Sequence, residues 1–220
     1  MDLKIRNISR NEILNYLRYA GGEIPADTEA MIARATEEVM AGARAKYRCV
    51  EKAKDAAELR DVLQGRDVEA MLAGCDRVLL LAVTLGREIE MLIRRHAFAD
   101  LAYAVVLDAV ASAAVESLAE DINRELAGKY APCHLTDRFS PGYGDMPMSV
   151  QEPLLRLLNA EKDLGLTTTA GHIMIPRKSI SAILGVSPLP QPKRAPGCEG
   201  CRLYANCEIR KRGGSCAKSE

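Results

Sequence analysis

Arg138-Phe139-Ser140-Pro141-Gly142-Tyr143-Gly144-Asp145-Met146-Pro147 breaks an otherwise strongly helical chain with the pattern R-x-x-P-G-Y-x-x-x-P. It lies in a stretch, Pro132 to Pro147, where helical periodicity vanishes and Cys133 and His134 also occur. The composition predicts a long irregular loop, and in a compact domain such loops are functional or disordered. Arg138 offers planar, bidentate donors suited to a carboxylate. Gly142 allows close backbone approach to a ligand and unusual dihedrals. Tyr143 supplies an aromatic face for a cation or a base, plus a hydroxyl. The same residues also describe a plain turn bearing an aromatic, with Arg138 in a surface ion pair.

Before the loop, the first fifty residues read as helical. Ser9 and Glu12 form an S-x-x-E capping box ahead of Ile13, Leu14, Leu17 and Ala20, and Gly21-Gly22 stop the helix. Pro25 sets a turn, and Met31, Ile32, Ala35 and Val39 keep helical spacing to Gly42. Ala45 to Val50 is short and ambiguous between strand and coil. Asp67 is expected to cap a short helix through Val68, Met71 and Leu72, and Arg77 to Val83 reads as a buried strand. A helix carrying Ile89, Leu92 and Ile93 follows. Asp100 then caps the longest helix, rich in alanine and running to about Gly128. After the loop, Ser149 and Glu152 make a second capping box before Leu154, Leu155, Leu157 and Leu158. His172 to Ile175 and Ser179 to Leu184 read as two strands. The expected class is α+β, mostly helical with a small antiparallel sheet.

The 220 residues carry 30 basic and 30 acidic side chains and are 48% hydrophobic. That size allows a core without staples, and zero net charge argues against a whole-domain nucleic-acid binder. No apolar run is read as approaching the roughly 20 residues that cross a bilayer. The first residues, Met1 to Arg6, have no secretory apolar region, so the expectation is a cytoplasmic protein whose seven cysteines are no disulfide framework.

Beyond Gly185 the composition changes. Pro188, Pro190, Pro192 and Pro196 read as an extended link, followed by Cys198, Cys201, Cys207 and Cys216 in the spacing C-x2-C-x5-C-x8-C. The expected organisation is a folded body over 1–187 with a helical part over 1–65, a Pro-rich link over 188–197, and a four-cysteine tail over 198–220. Four thiolates this close can surround a tetrahedral zinc or a 4Fe–4S cluster, and spacing does not choose between them. Arg202, Arg210, Lys211 and Arg212 would offset the negative charge of such a site, and an oxidisable tail is the plainer reading. Cys49 and Cys75 read as small core residues, and Cys133 reads first as packed, with a ligand or thiol role as the weaker alternative.

The R-x-x-P-G-Y segment resembles the S-adenosylmethionine-binding signature of the activation domain of cobalamin-dependent methionine synthase. The order of features is similar too. Glu116 lies in the helix before the loop. A leucine-rich helix, Gly165 and Met174-Ile175-Pro176-Arg177-Lys178-Ser179-Ile180-Ser181 follow it, like the family's proline- and serine-bearing strand pair. The resemblance is strongest over 108–185. Gly144-Asp145-Met146-Pro147 stands where the family has an A-C-P-type sequence, and the family's late, cofactor-contacting tyrosine has no clear counterpart after Gly185.

The resemblance implies a stand-alone activation-domain fold with an added cysteine tail. It assigns Glu116, Arg138, Ser140, Pro141, Gly142 and Tyr143 to S-adenosylmethionine, with His172, Pro176, Ser179 and Ser181 facing a corrinoid. It implies reductive reactivation of a methyltransferase in methionine biosynthesis, in which the methyl group is presented to cob(II)alamin. The chain has no corrinoid-binding D-x-H-x-x-G motif, so cobalamin would arrive on a methionine synthase subunit or related corrinoid protein. Flavodoxin or ferredoxin would supply the electron, relayed by a cluster at the tail. The alternatives are activation of a different corrinoid methyltransferase in one-carbon metabolism, or a non-catalytic metal knuckle that docks protein or nucleic acid. No hydrolytic triad or H-E-x-x-H arrangement is present. Of the three histidines, His96 reads as a solvated helix end, and His134 and His172 either face the corrinoid or, the favoured reading, simply pack.

Overall fold

Arg77–Thr84 is the inner strand on which the fold is built. The computed structural model describes residues 3–19 and 23–191, together with Asn206 and Lys211. Its first elements are α1 (Arg10–Tyr16), α2 (Ala26–Gly42), β1 (Lys46–Ala53), α3 (Arg66–Met71) and β2 (Arg77–Thr84). Then come α4 (Arg87–Ala99), α5 (Leu101–Tyr130), β3 (His134–Leu135), α6 (Gln151–Leu157) and α7 (Ala160–Leu164). The chain continues through β4 (Thr167–Thr168), β5 (Met174–Ile175) and β6 (Ser179–Ser187). The expected class, helical with a small antiparallel sheet, is the observed one.

The main sheet has the order β1-β2-β6-β3, all antiparallel, and β4 and β5 form a separate ribbon. β2 is aliphatic from Val78 to Val83, where both of its faces are covered. Leu79, Leu81 and Val83 enter the core beneath α1, α2, α4 and α5, whereas Val78, Leu80 and Ala82 enter a second core with α3, α6 and α7. Each fully buried leucine here contributes about 1.5–3 kcal/mol of apolar transfer. Gly185 in β6 is required by close packing, since a Cβ there would lie 2.4 Å from Cys75 Sγ and 2.8 Å from Leu72 Cδ2.

Local signals explain the starts of α1 and α5. The Ser9 hydroxyl accepts from the Glu12 N–H, and Asp100 Oδ1 accepts from the Tyr103 N–H at 3.0 Å. α5 runs 30 residues, and Ala104, Ala109, Ala111, Ala113 and Ala114 are buried along it, where small side chains permit close approach to α2 and α4. This helix corrects the reading that no long apolar segment exists. Its most apolar window has mean hydropathy 1.6 and by length and composition could span a bilayer, yet 61% of that window is buried inside the fold.

Other expectations are corrected. α1 ends at Tyr16, with Leu17 as its C-cap, while the proposed stop at Ala20, Gly21 and Gly22 lies outside the described residues. Gly65, at φ +106°, precedes α3, and Asp67 sits inside its first turn instead of capping it. Ser149 caps nothing. It lies in a short 3-10 turn, Met148–Val150, that leads into α6. Ala45–Val50 resolves as β1. The serine- and proline-bearing segments do not pair with each other: β5 pairs with β4, and β6 with β2 and β3. His172 lies in a turn at φ +61°, outside β5. His96 is not a solvated end, since its Nε2 lies 3.0 Å from Glu38 Oε2 and its ring meets Tyr103 edge-on. Cys75 is buried, Cys49 and Cys133 are partly so, and Cys198, Cys201, Cys207 and Cys216 lie outside the described residues.

Candidate functional site

The R-x-x-P-G-Y segment is ordered by the sheet. Thr136 N–H donates to the Gly185 carbonyl at 3.0 Å, and its hydroxyl accepts from Gly185 N–H at 2.8 Å. Phe139 and Ile183 exchange both backbone hydrogen bonds, at 2.9 and 2.8 Å. Extended backbone turns successive side chains to opposite faces. Phe139 therefore fills the second core, fully buried, while Arg138 points toward α5.

Ser140-Pro141-Gly142-Tyr143 is then a type II turn. Proline is second, Gly142 has φ +88°, and Tyr143 N–H donates to the Ser140 carbonyl at 3.0 Å. A Cβ on Gly142 would come 2.5 Å from Met148 Sδ, so turn geometry and this packing both demand glycine. A second turn follows, with Met146 N–H donating to Tyr143 O, and Met146 is buried. Asp145 locks the loop to α3. Its carboxylate accepts from Arg66 N–H (2.8 Å) and Asp67 N–H (3.1 Å), and Asp67 Oδ2 accepts from Asp145 N–H (3.1 Å).

Between this loop, α5, β6 and the β4–β5 ribbon lies a cavity of about 580 Å³. That volume is within the range of small-molecule sites. α5 presents Glu116, Glu120 and Asn123 to it, spaced i, i+4 and i+7 on one helical face. Arg138 Nη2 lies 3.3 Å from Glu116 Oε2 and 3.5 Å from Glu120 Oε2, with its side chain 16% exposed. The guanidinium is thus held within the cavity wall by two carboxylates, retaining donors for a third group.

Ser179 and Ser181 lie buried in the lining, and their hydroxyls have protein partners. Ser181 Oγ faces the buried Gln151 carboxamide, 2.7 Å from Nε2 and 3.1 Å from Oε1. Ser179 Oγ donates to the Pro176 carbonyl at 2.8 Å and shares a hydrogen bond with Thr84 Oγ1 at 2.7 Å. His172, Ile173 and Met174 line another side, with Arg177 near them. Arg177 N–H donates to Glu90 (3.0 Å), and Lys178 Nζ bonds Asp108 and Ser112 of α5 at 2.8 Å each. Tyr143, Met148, Ile173 and Ile175 are exposed apolar side chains around this region.

Of the expected site residues, Glu116, Arg138, Ser140, Pro141, Tyr143, His172, Ser179 and Ser181 all line this one cavity. Gly142 and Pro176 are not among the lining residues; each shapes the backbone beside it. Glu120, Asn123, Asp137, Met148, Gln151 and Arg177 line it as well and were not foreseen. The helical spacing from Glu116 could have revealed Glu120 and Asn123. Nothing local marks Gln151 or Arg177. Tyr16, from α1, is a further neighbour: desolvation, with Glu116, Glu12 and Tyr143 close by, pushes its phenol up to about 12.

A helical body on a small antiparallel sheet, with a cavity under its longest helix, has the activation-domain fold. A crystal structure of the MetH reactivation domain bound to AdoHcy superimposes with a TM-score of 0.59 and 17% identity, covering 98% of this chain and 85% of that one. No family model matches the sequence, and no curated protein does.

Proposed function

We propose that the chain binds S-adenosylmethionine in this cavity and presents its methyl group to a corrinoid carried by a partner, reactivating a cobalamin-dependent methyltransferase. The carrying observation is Arg138 held in an open cavity beside the Pro-Gly-Tyr turn, on a fold shared with the AdoHcy-bound MetH domain. Arg138 receives the ligand carboxylate. Glu116 and Glu120 hold the guanidinium and place negative charge near the ligand's ammonium or sulfonium. Tyr143 and Ser140 wall the nucleoside. A corrinoid on the partner, once reduced by one electron, would accept the methyl group as the sulfonium S–CH3 bond breaks, which leaves S-adenosylhomocysteine in the cavity. This chain's contribution is orientation, which turns an encounter into a near-unimolecular transfer. No general base is needed.

The partner in this reading is a methionine synthase subunit, and the exposed apolar side chains around the cavity, Tyr143, Ile173 and Ile175, suit a surface that it covers. The proposed organisation is the folded body over 1–187, a link over 188–197 and a metal- or cluster-binding tail over 198–220. An electron from flavodoxin or ferredoxin enters there. Protein isolated without oxygen should contain iron and acid-labile sulfide in fixed ratio, and stoichiometric zinc would end the relay idea.

Calorimetric titration with S-adenosylmethionine tests the site. Arg138→Ala is expected to weaken binding by about 2–4 kcal/mol, because a desolvated carboxylate loses its charged partner. Equal affinity in the two proteins overturns the assignment.

A further inference from the structure

One polar group in the cavity wall is still without a role. Asn123 follows Glu120 by three residues and Glu116 by seven, and lines the cavity on the same face of α5. Its Oδ1 is fully buried and meets no hydrogen-bond donor among the described residues. A buried oxygen without a donor is unfavourable and rare in folded proteins. The fold itself therefore gives this oxygen no partner among the described residues.

The surroundings indicate which donor would complete it. The lining includes three carboxylates, Glu116, Glu120 and Asp137, and the guanidinium of Arg138, with Glu116 and Glu120 within 3.3 and 3.5 Å of it. A ligand suited to both charges carries an anion and a cation a few bonds apart, as an α-amino acid does. A primary ammonium has three N–H donors. Two can meet carboxylates, and a neutral oxygen satisfies the third without adding more negative charge. Turning the Asn123 carboxamide toward the cavity breaks no hydrogen bond to its oxygen.

We propose that Asn123 accepts a hydrogen bond from the ligand's α-ammonium group and makes the cavity selective for a nucleoside bearing an intact α-amino acid. This rests on the ligand reading above and sharpens it to one atom. The test compares the full-length protein with Asn123→Ala by calorimetry, using S-adenosylhomocysteine and its analogue with hydrogen in place of the α-amino group. The substitution should weaken S-adenosylhomocysteine about tenfold, in line with the loss of a hydrogen bond to a charged group, and change the analogue less than twofold. The unliganded melting temperature should stay equal or rise, since an unsatisfied buried oxygen is removed. Equal losses for both ligands, or no loss for either, overturn the inference while leaving the ligand reading intact. So does a fall of several degrees in the unliganded protein, which would make the carboxamide a structural group. Failure of the unsubstituted protein to bind S-adenosylhomocysteine overturns both.

Discussion

Arg77 and Arg138 are alike in chemistry and differ in what surrounds them. Both reach from sheet backbone to α5, Arg77 over the Tyr130 ring at the helix's end and Arg138 to Glu120, about 15 Å earlier along the axis. Arg77 closes a network: its Nη1 lies 3.1 Å from Glu51 Oε1, Tyr130 donates to Glu51 Oε2 at 2.6 Å, and its Nη2 lies 3.6 Å from Cys133 Sγ. Arg138 also pairs with glutamate, yet a cavity opens beside it. An ion pair under a helix is thus not a site. The space left next to the cation makes it a candidate.

The sharpest way to break this contrast is to remove what seats Arg138. Phe139→Ala empties a fully buried position in the second core and should cost about 3–5 kcal/mol in denaturant unfolding. It should also weaken S-adenosylmethionine, since the neighbouring guanidinium loses the packing that anchors its backbone. Full affinity in a destabilised Phe139→Ala protein would show that the site does not depend on that anchor. A smaller effect is expected from Arg77→Ala. Its exposed pair contributes little. The ligand affinity should change less than twofold, in contrast to Arg138→Ala, and a large loss would dissolve the distinction between the two arginines.

The smallest effect appears in alkali. Burial, with Glu51 accepting from the hydroxyl, pushes the Tyr130 phenol up to about 12, from an ordinary value of 10. Unfolding releases the phenol to ionise first, so this stabilisation is complete below pH 10 and is lost as pH rises toward 12. Tyr130→Phe should flatten part of the fall in urea midpoint between pH 10 and 12. Only part should vanish, because Tyr16 and Tyr103 are raised similarly. An unchanged slope would mean that the network does not hold the proton.

Local sequence determined the elements whose signals are local. The aliphatic run of β2 announced a strand covered on both faces. Ser9 and Asp100 announced their helix starts, because a side-chain oxygen satisfies the free N–H groups of a first turn whatever packs later. The motif order also singled out Glu116 and Arg138, which line one cavity, although their ion pair was not foreseen. Tertiary structure decided the rest. Asp145 was read as a departure from the family pattern, but it caps α3 across 78 residues and thereby fixes the loop. Ser179 and Ser181 line the cavity, and it is the packing that pairs their hydroxyls with Thr84, Pro176 and Gln151. Ser149 resembled a cap, yet the chain enters α6 through a 3-10 turn and leaves that role empty. A sequence states which groups can pair within a few residues. Which distant donor meets which acceptor, and where a cavity is left between them, is settled only when the layers pack.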